Sequence, residues 1–357
     1  MSGYERHLFA GGNTASGFHS FFEHVIPHSA RRVWVIKGGP GVGKSRLMQS
    51  IGEVMQRQRQ VEYFHCSSDP RSLDGLVIPE LGVAFLDGTS PHIVDPKFPG
   101  AVDEIVNLGD YWQQAALQAN RAQIESLTTE IGRLFRRAYG YLGCAKKHLD
   151  EHAGYYMDAG ALDWTSLKTI ALRYEELLLP RSVAASSPRA RHLFASAITP
   201  SGFVNFVDSL MRRCQRVLVL QADKGAGAEY VLEHLCRAAA SRSLPTEVYH
   251  CGLDPQSIEH LYVPALSLAV VTSRAPHMYT ATGTWTEDLN ALIKEERLAH
   301  WRGEMNVVQA DGKRALERAV EFLARAKCAH DELEGLYVPT MDFARVEARR
   351  EQILAQI

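Results

Sequence analysis

The sequence predicts an α/β protein built twice along one chain, each half a parallel sheet flanked by helices and followed by a helical hairpin or bundle. Three observations carry this: a repeat of domain length, β-branched strands alternating with helical stretches, and long segments of helical period after each α/β core. Residues 6–18, RHLFAGGNTASGF, recur as residues 191–203, RHLFASAITPSGF, with nine of 13 positions identical. Arg32–Ile36 then matches Arg216–Leu220, His65–Pro70 matches His250–Pro255, Val83–Leu86 matches Leu268–Val271, and Pro91-His92 matches Pro276-His277. More loosely, His148 and the region of Tyr155 and Asp163-Trp164 resemble His330 and the region of Tyr337 and Asp342-Phe343. The period is too long for a solenoid, so a whole domain is duplicated. The halves are expected at 1–180 and 189–357, joined by the Ser/Ala/Pro stretch between Pro180 and Pro188.

Within the first half, a short strand or loop at His7–Ala10 leads to an expected helix at Gly17–Val25. An apolar strand, Val33–Ile36, precedes a glycine loop and a helix over Ser45–Arg57. Further strands are expected at Val61–Cys66 and Val83–Leu86; continuous apolar strands between helices point to a parallel sheet covered on both faces. After Asp103 the period becomes helical: Leu117, Ile124, Leu127, Ile131 and Leu134 recur mostly at spacings of three and four, and Leu289, Leu292, Leu298 and Trp301 open a comparable region. These stripes are expected to be core packing.

Composition agrees with a globular protein. The 357 residues are 46% hydrophobic and 22% charged, with a formal net charge of −2. That balance gives no specific nucleic-acid signal. No signal peptide or membrane-spanning run is read in the sequence, so a cytoplasmic location is expected. Cys66, Cys144, Cys214, Cys236, Cys251 and Cys328 are scattered without a CxxC pair, arguing against zinc or a disulfide framework.

The chemistry concentrates at residues 38–45. Gly38, Gly39, Pro40, Gly41, Val42, Gly43, Lys44 and Ser45 satisfy the Walker A pattern of a P-loop, between an apolar strand and a helix. Glycines let backbone N–H groups wrap a phosphate chain, and the following helix adds the positive end of its dipole. Lys44 would meet the β- and γ-phosphates and Ser45 would offer its hydroxyl to Mg²⁺, with Arg46 as a further contact. Lys37 is read as a strand-end residue. The second half has Ala222-Asp223-Lys224-Gly225-Ala226-Gly227-Ala228-Glu229 at this place, so Lys44 has become Ala228 and Ser45 has become Glu229. That loop is expected to be degenerate, with Lys224 as the one cation that could replace the lost charge.

The repeat also helps choose a magnesium carboxylate. Asp69 persists as Asp254 together with His65, Cys66, Pro70 and Ser72, which suits a structural Asp-Pro-x-Ser turn or cap. Asp87 becomes Thr272 and is lost along with Lys44 and Ser45, as expected if the three serve one nucleotide. Asp87 is therefore the expected Walker B acid and metal ligand with Ser45, and Asp69 the second choice. His92 and Ser16-Gly17-Phe18 are kept in the copy and read as scaffold. Glu80, Asp95, Arg46 and Arg71 are lost in it, which makes them candidates for the site.

With these residues in view, the chain resembles the P-loop NTPase superfamily. The strings at 37–45, 65–70 and 87–92 are similar to those of a poorly characterised bacterial family of tandem P-loop ATPases. The resemblance implies ATP as ligand, as does the lack of an Asn-Lys-x-Asp guanine motif. A slow or partner-stimulated ATPase, or an ATP-driven switch, is the first expectation, with Lys44, Asp87 and Asp69 as catalytic candidates. Asp87 is followed by Gly88-Thr89 rather than by the glutamate that commonly polarises water, so Asp69 or Glu80 is left to orient it. The alternatives are a kinase, with Asp69 as base and Arg133, Arg136 and Arg137 on a helical lid, and a non-catalytic ATP-binding scaffold. The duplication suggests that the two halves pair within the chain, the degenerate half covering the live loop and bringing a basic residue such as Arg274 toward phosphate. A protein or small-molecule partner is also open.

Overall fold

The computed structural model describes residues 4–27, 29–90, 93–181, 189–275, 278–279 and 283–357. Most of the expected linker and the Pro91-His92, Pro276-His277 and Thr280 positions lie outside the described residues. The first half contains strands β1 (Tyr4–Phe9), β2 (Gly11–Thr14), β3 (Gly17–Ser20) and β4 (Arg32–Lys37), then helix α1 (Lys44–Met55). Strands β5 (Gln60–Cys66), β6 (Asp69–Ile78), β7 (Val83–Asp87) and β8 (Asp103–Asn107) follow, with helices α2 (Gln114–Ala119), α3 (Arg121–Asp158) and α4 (Trp164–Leu178). The second half repeats this order. It runs β9 (Ala190–Phe194), β10 (Ser196–Thr199), β11 (Gly202–Asn205), α5 (Val207–Met211), β12 (Arg216–Gln221) and α6 (Ala228–Ser241). It ends with β13 (Thr246–His250), β14 (Ile258–Val263), β15 (Leu268–Ser273), β16 (Trp285–Asp288), α7 (Glu295–Leu298), α8 (Arg302–Tyr337) and α9 (Phe343–Leu354).

Two sequence expectations need correction. The stretch Gly17–Val25 is not a helix. It closes a hairpin, β2–β3, whose turn is held by the Thr14 hydroxyl donating to the Gly17 carbonyl (2.7 Å), and ends in a single 3₁₀ turn at Phe22–His24. The copy at Thr199 and Gly202 makes the same bond at 2.8 Å, so Ser16-Gly17-Phe18 and its repeat close equivalent hairpins. The sheet is mixed rather than parallel. Each half inserts a strand, β6 or β14, antiparallel to both neighbours. In β6, Asp74-Gly75 interrupts the apolar run, yet Asp74 is buried, so the segment shows no clean strand period.

The halves share one 12-stranded sheet in the order β16-β12-β15-β14-β13-β9-β1-β5-β6-β7-β4-β8. The centre is an antiparallel junction of β1 and β9 at Phe9 and Phe194. A ring of four charges, three buried and Arg191 half-buried, spans it. Arg6 donates to Glu62 (2.7 Å) and Arg191 donates to Glu62 (2.8 Å), while both arginines also bond Glu247. All four residues come from the repeat, Arg6 with Arg191 and Glu62 with Glu247, and their charges cancel.

The long helices exchange partners between the halves. Helices α3 and α8 pack together, their middles crossing in a core of Ala138, Leu142, Ala145, Ala319 and Leu323. Each is about 55 Å long at 1.5 Å per residue, enough to carry the chain from one half to the other. Beyond α3, Leu167, Ala171, Tyr174 and Leu178 of α4 join the core of α6 in the second half. Beyond α8, Val346 and Ile353 of α9 join the core of α1 in the first. Main-chain bonds seal the crossings: Asp342 N–H donates to Tyr111 (2.9 Å), and Asp163 N–H donates to Leu292 (3.0 Å). Among the described residues, no helix is long and apolar enough to cross a membrane. All six cysteines are free thiols.

Candidate functional site

Strands β4 and β7 are parallel neighbours with Ile36 opposite Asp87, so the glycine loop and Asp87 leave the sheet at the same edge. The loop turns through left-handed backbone at Gly41 (φ 68°) and at Gly43 (φ 94°), the N-cap of α1. No L side chain takes up these angles without strain, so glycine is required where the chain doubles back into the helix. Val42 between them is buried and anchors the loop.

Lys44 lies in the first turn of α1 and folds back over the loop. Its ammonium donates to the carbonyls of Gly38 (2.9 Å) and Gly39 (2.8 Å) and stands 3.6 Å from Asp87 Oδ2. Asp87 also accepts from the Thr89 N–H (2.9 Å). Burial pushes its carboxyl above the ordinary value, against the pull of Lys44 and the Thr89 bonds. Ser45 Oγ accepts from the Leu73 N–H (2.9 Å), which ties α1 to β6. The sequence-derived set Lys44, Ser45 and Asp87 therefore meets at one end of β4 and β7.

Other candidates are engaged differently. Asp69 opens β6 and accepts from the Arg71 N–H and the Ser72 hydroxyl, both at 3.2 Å, in the expected Asp-Pro-x-Ser turn. It is also ion-paired with Lys327 of α8, at 3.3 Å, and with the exposed Arg71 side chain, at 3.6 Å. Burial raises the Asp69 carboxyl, but Lys327 and the turn bonds outweigh it and hold it below the ordinary range. The repeat makes the same bond with exchanged partners, Lys146 of α3 to Asp254 at 3.1 Å. Asp69 is thus a docking residue for a long helix. Glu80 sits in the turn between β6 and β7, at the opposite end of β7 from Asp87, and pairs with Arg59 at the surface; it cannot orient water at the loop. Lys37 clamps the segment after β7, donating to Gly88 (2.7 Å) and Val94 (2.8 Å) and pairing with Asp95. Arg71 is exposed, as is Arg46, which lies within electrostatic reach of Glu347 on α9. Arg133, Arg136 and Arg137 line a groove of about 590 Å³ with Phe322 and Arg325 between the long helices.

The second loop answers its own charge. Lys224 is ion-paired with Glu229, in the first turn of α6, and both bond Ser257. Lys224 is therefore committed to a carboxylate where the first loop has Ser45. Arg274 does not reach the first loop; it pairs with buried Glu259 in its own half at 2.8 Å.

What the second half does bring is the end of α8. A Cβ on Gly39 would lie 2.7 Å from the Tyr337 ring, and one on Gly41 would lie 2.9 Å from Val338 and 3.2 Å from the Glu334 carbonyl. Over the second loop, Tyr156 and Ala153 of α3 approach Gly225 in the same way. These contacts, with the two lysine–aspartate pairs, set the register of the copies: Lys146 corresponds to Lys327, Leu149 to His330, Ala153 to Glu334 and Tyr156 to Tyr337. The sequence match of His148 with His330 is thus one residue out; in the structural register Asp150-Glu151 meets Asp331-Glu332 and Gly154 meets Gly335, so the helical repeat did carry a register signal that the isolated histidine match overrode. No protein-family model matches the chain, and no curated protein or solved structure is significantly similar to it.

Proposed function

We propose that the protein is a Mg-ATP-binding P-loop protein with one live site, at residues 38–45, working as a slow or partner-stimulated ATPase or an ATP-driven switch. The observation that carries this is the contrast between the two loops. In the first, Lys44, Ser45 and Asp87 converge on glycine-built backbone at the start of a 12-residue helix. In the second, the same position holds an internal Lys224–Glu229 pair, which opposes an added phosphate. Hard oxygen donors suit magnesium. Ser45 Oγ and the Asp87 carboxylate are the groups that would hold it, and the ion would supply positive charge to the phosphate oxygens. The Gly38 and Gly39 carbonyls now bonded by Lys44 would yield it to β- and γ-phosphate oxygens, for which a lysine is the matching point charge. The kinase alternative would use Asp69 as its base, and that carboxylate is ion-paired with Lys327.

The test is ATP binding and phosphate release by the wild type, Lys44→Ala and Asp87→Ala. A charge-assisted contact of this kind is worth about 1.5–3 kcal/mol, so Lys44→Ala should weaken ATP binding by roughly ten- to 150-fold. Unchanged affinity would sink the assignment of the site. Phosphate release only with an added acceptor would favour a kinase.

A further inference from the structure

We propose that Glu334, carried across from the second half on α8, is the carboxylate that orients and deprotonates the attacking water at the first glycine loop. This rests on the nucleotide reading above. No acid follows Asp87 on its own strand end, Asp69 is held by Lys327, and Glu80 lies at the far end of β7. Asp74 is buried on β6 within electrostatic reach of Asp87, whereas Glu334 is an acid that the fold lays directly on the loop backbone. Its Cβ and carbonyl stand 3.3 and 3.2 Å from the place a Cβ on Gly41 would take. Its carboxylate lies 3.8 Å from Nδ1 of His330, one turn earlier on α8. His330 in turn lies within electrostatic reach of Lys44, on the helix face it shares with Glu334.

The internal copy gives an independent line of support. Helix α3 crosses the degenerate loop in the same pose, yet at the two matching positions it carries Leu149 and Ala153. The lysine that docks the helix is kept in both copies, as Lys146 and Lys327, and so is the aromatic residue on the loop, as Tyr156 and Tyr337. The docking residues thus survive in both halves. His330 and Glu334 occur only where Lys44, Ser45 and Asp87 occur. A purely structural helix end would not need to differ in this way.

In the step, a water oxygen attacks the γ-phosphorus while its proton passes to the Glu334 carboxylate. The bond from phosphorus to the bridging oxygen breaks, and ADP leaves with that electron pair. A positioned base contributes about 10²–10⁴-fold. Glu334→Gln should therefore lower kcat by about that factor. A second readout needs no turnover: with a non-hydrolysable ATP analogue, Glu334→Gln should bind about two- to five-fold more tightly, since one negative charge near the phosphates is gone. Glu334→Asp, which keeps the charge but shortens the reach, should lose turnover while keeping wild-type affinity. Glu332→Gln, on the exposed side of α8, serves as control. The inference is overturned if Glu334→Gln and Glu334→Asp keep kcat within about three-fold of wild type, or if the wild type binds ATP without any turnover. If Lys44→Ala leaves nucleotide affinity unchanged, the nucleotide reading itself fails, and this inference with it.

Discussion

Replacing Glu62 by glutamine should destabilise the whole molecule by about 3–5 kcal/mol, because it breaks the charge ring at the centre of the sheet. Glu62 Oε1 accepts from Arg6 (2.7 Å) and Arg191 (3.2 Å), and Oε2 accepts from Arg191 (2.8 Å). Its side chain is 2% exposed, so water cannot take over these roles. Two guanidinium groups now share two carboxylates. With glutamine in place they share one, Glu247, and a positive charge is left uncompensated in the interior. Hydrogen bonds to charged groups are worth about 1.5–3 kcal/mol each, so weakening three of them, softened by the amide oxygen that remains, gives the same range. Thermal or urea unfolding of the variant measures the loss. Glu80→Gln, whose ion pair with Arg59 is half exposed, is the control and should change stability by less than about 1 kcal/mol. If Glu62→Gln costs no more than the control, the ring does not hold the halves together and the reasoning fails.

Acid should weaken the fold before the carboxylates titrate. Burial pushes His65 and His250 down to about 4, and each accepts or shares a 2.8 Å bond with a second histidine, His7 or His192. Their folded values lie below the ordinary 6.5, so the unfolded chain binds the extra protons and stability falls as pH drops from about 6.5 toward 4. Each should cost on the order of 2 kcal/mol between pH 7.5 and pH 5, and a melting temperature constant over that interval would refute it. Asp69→Asn should loosen the docking of α8, seen as faster hydrogen exchange near Lys327, whereas Asp87→Asn should not; equal exchange in both would contradict the Asp69 assignment. Gly41→Ala should cost about 1–2 kcal/mol for the left-handed backbone alone, and more as its Cβ meets Val338 and Glu334. A fully stable Gly41→Ala protein would mean that α8 does not pack on the loop.

Much of this site was legible in the chain because its determinants are local. A glycine loop between an apolar strand and a helix identifies itself by residue type, and the unequal survival of Lys44, Ser45, Asp87 and Asp69 in the copy singled out the three that the fold gathers at the loop. Local signals failed at Gly17–Val25, where a Ser-Gly turn closes a hairpin, and at β6, whose buried Asp74 hides the strand. They also failed for Glu334, since nothing in the composition of α8 says which loop its end will meet.

The amino-acid sequence by itself determined the duplication, the position of the first glycine loop and the replacement of its Lys44 and Ser45 by Ala228 and Glu229 in the copy, for these follow from residue identity and short-range conformation. Only the tertiary structure decided that the two cores merge into one sheet across Phe9 and Phe194 and that α4 and α9 change sides. The physical reason lies in the repeat itself. Homologous halves offer similar apolar seats for a terminal helix, so hydrophobic pattern does not choose between them. The choice falls to the reach of α3 and α8, long rigid helices that set the chain down on the opposite half, and with it Glu334 on the loop of the first.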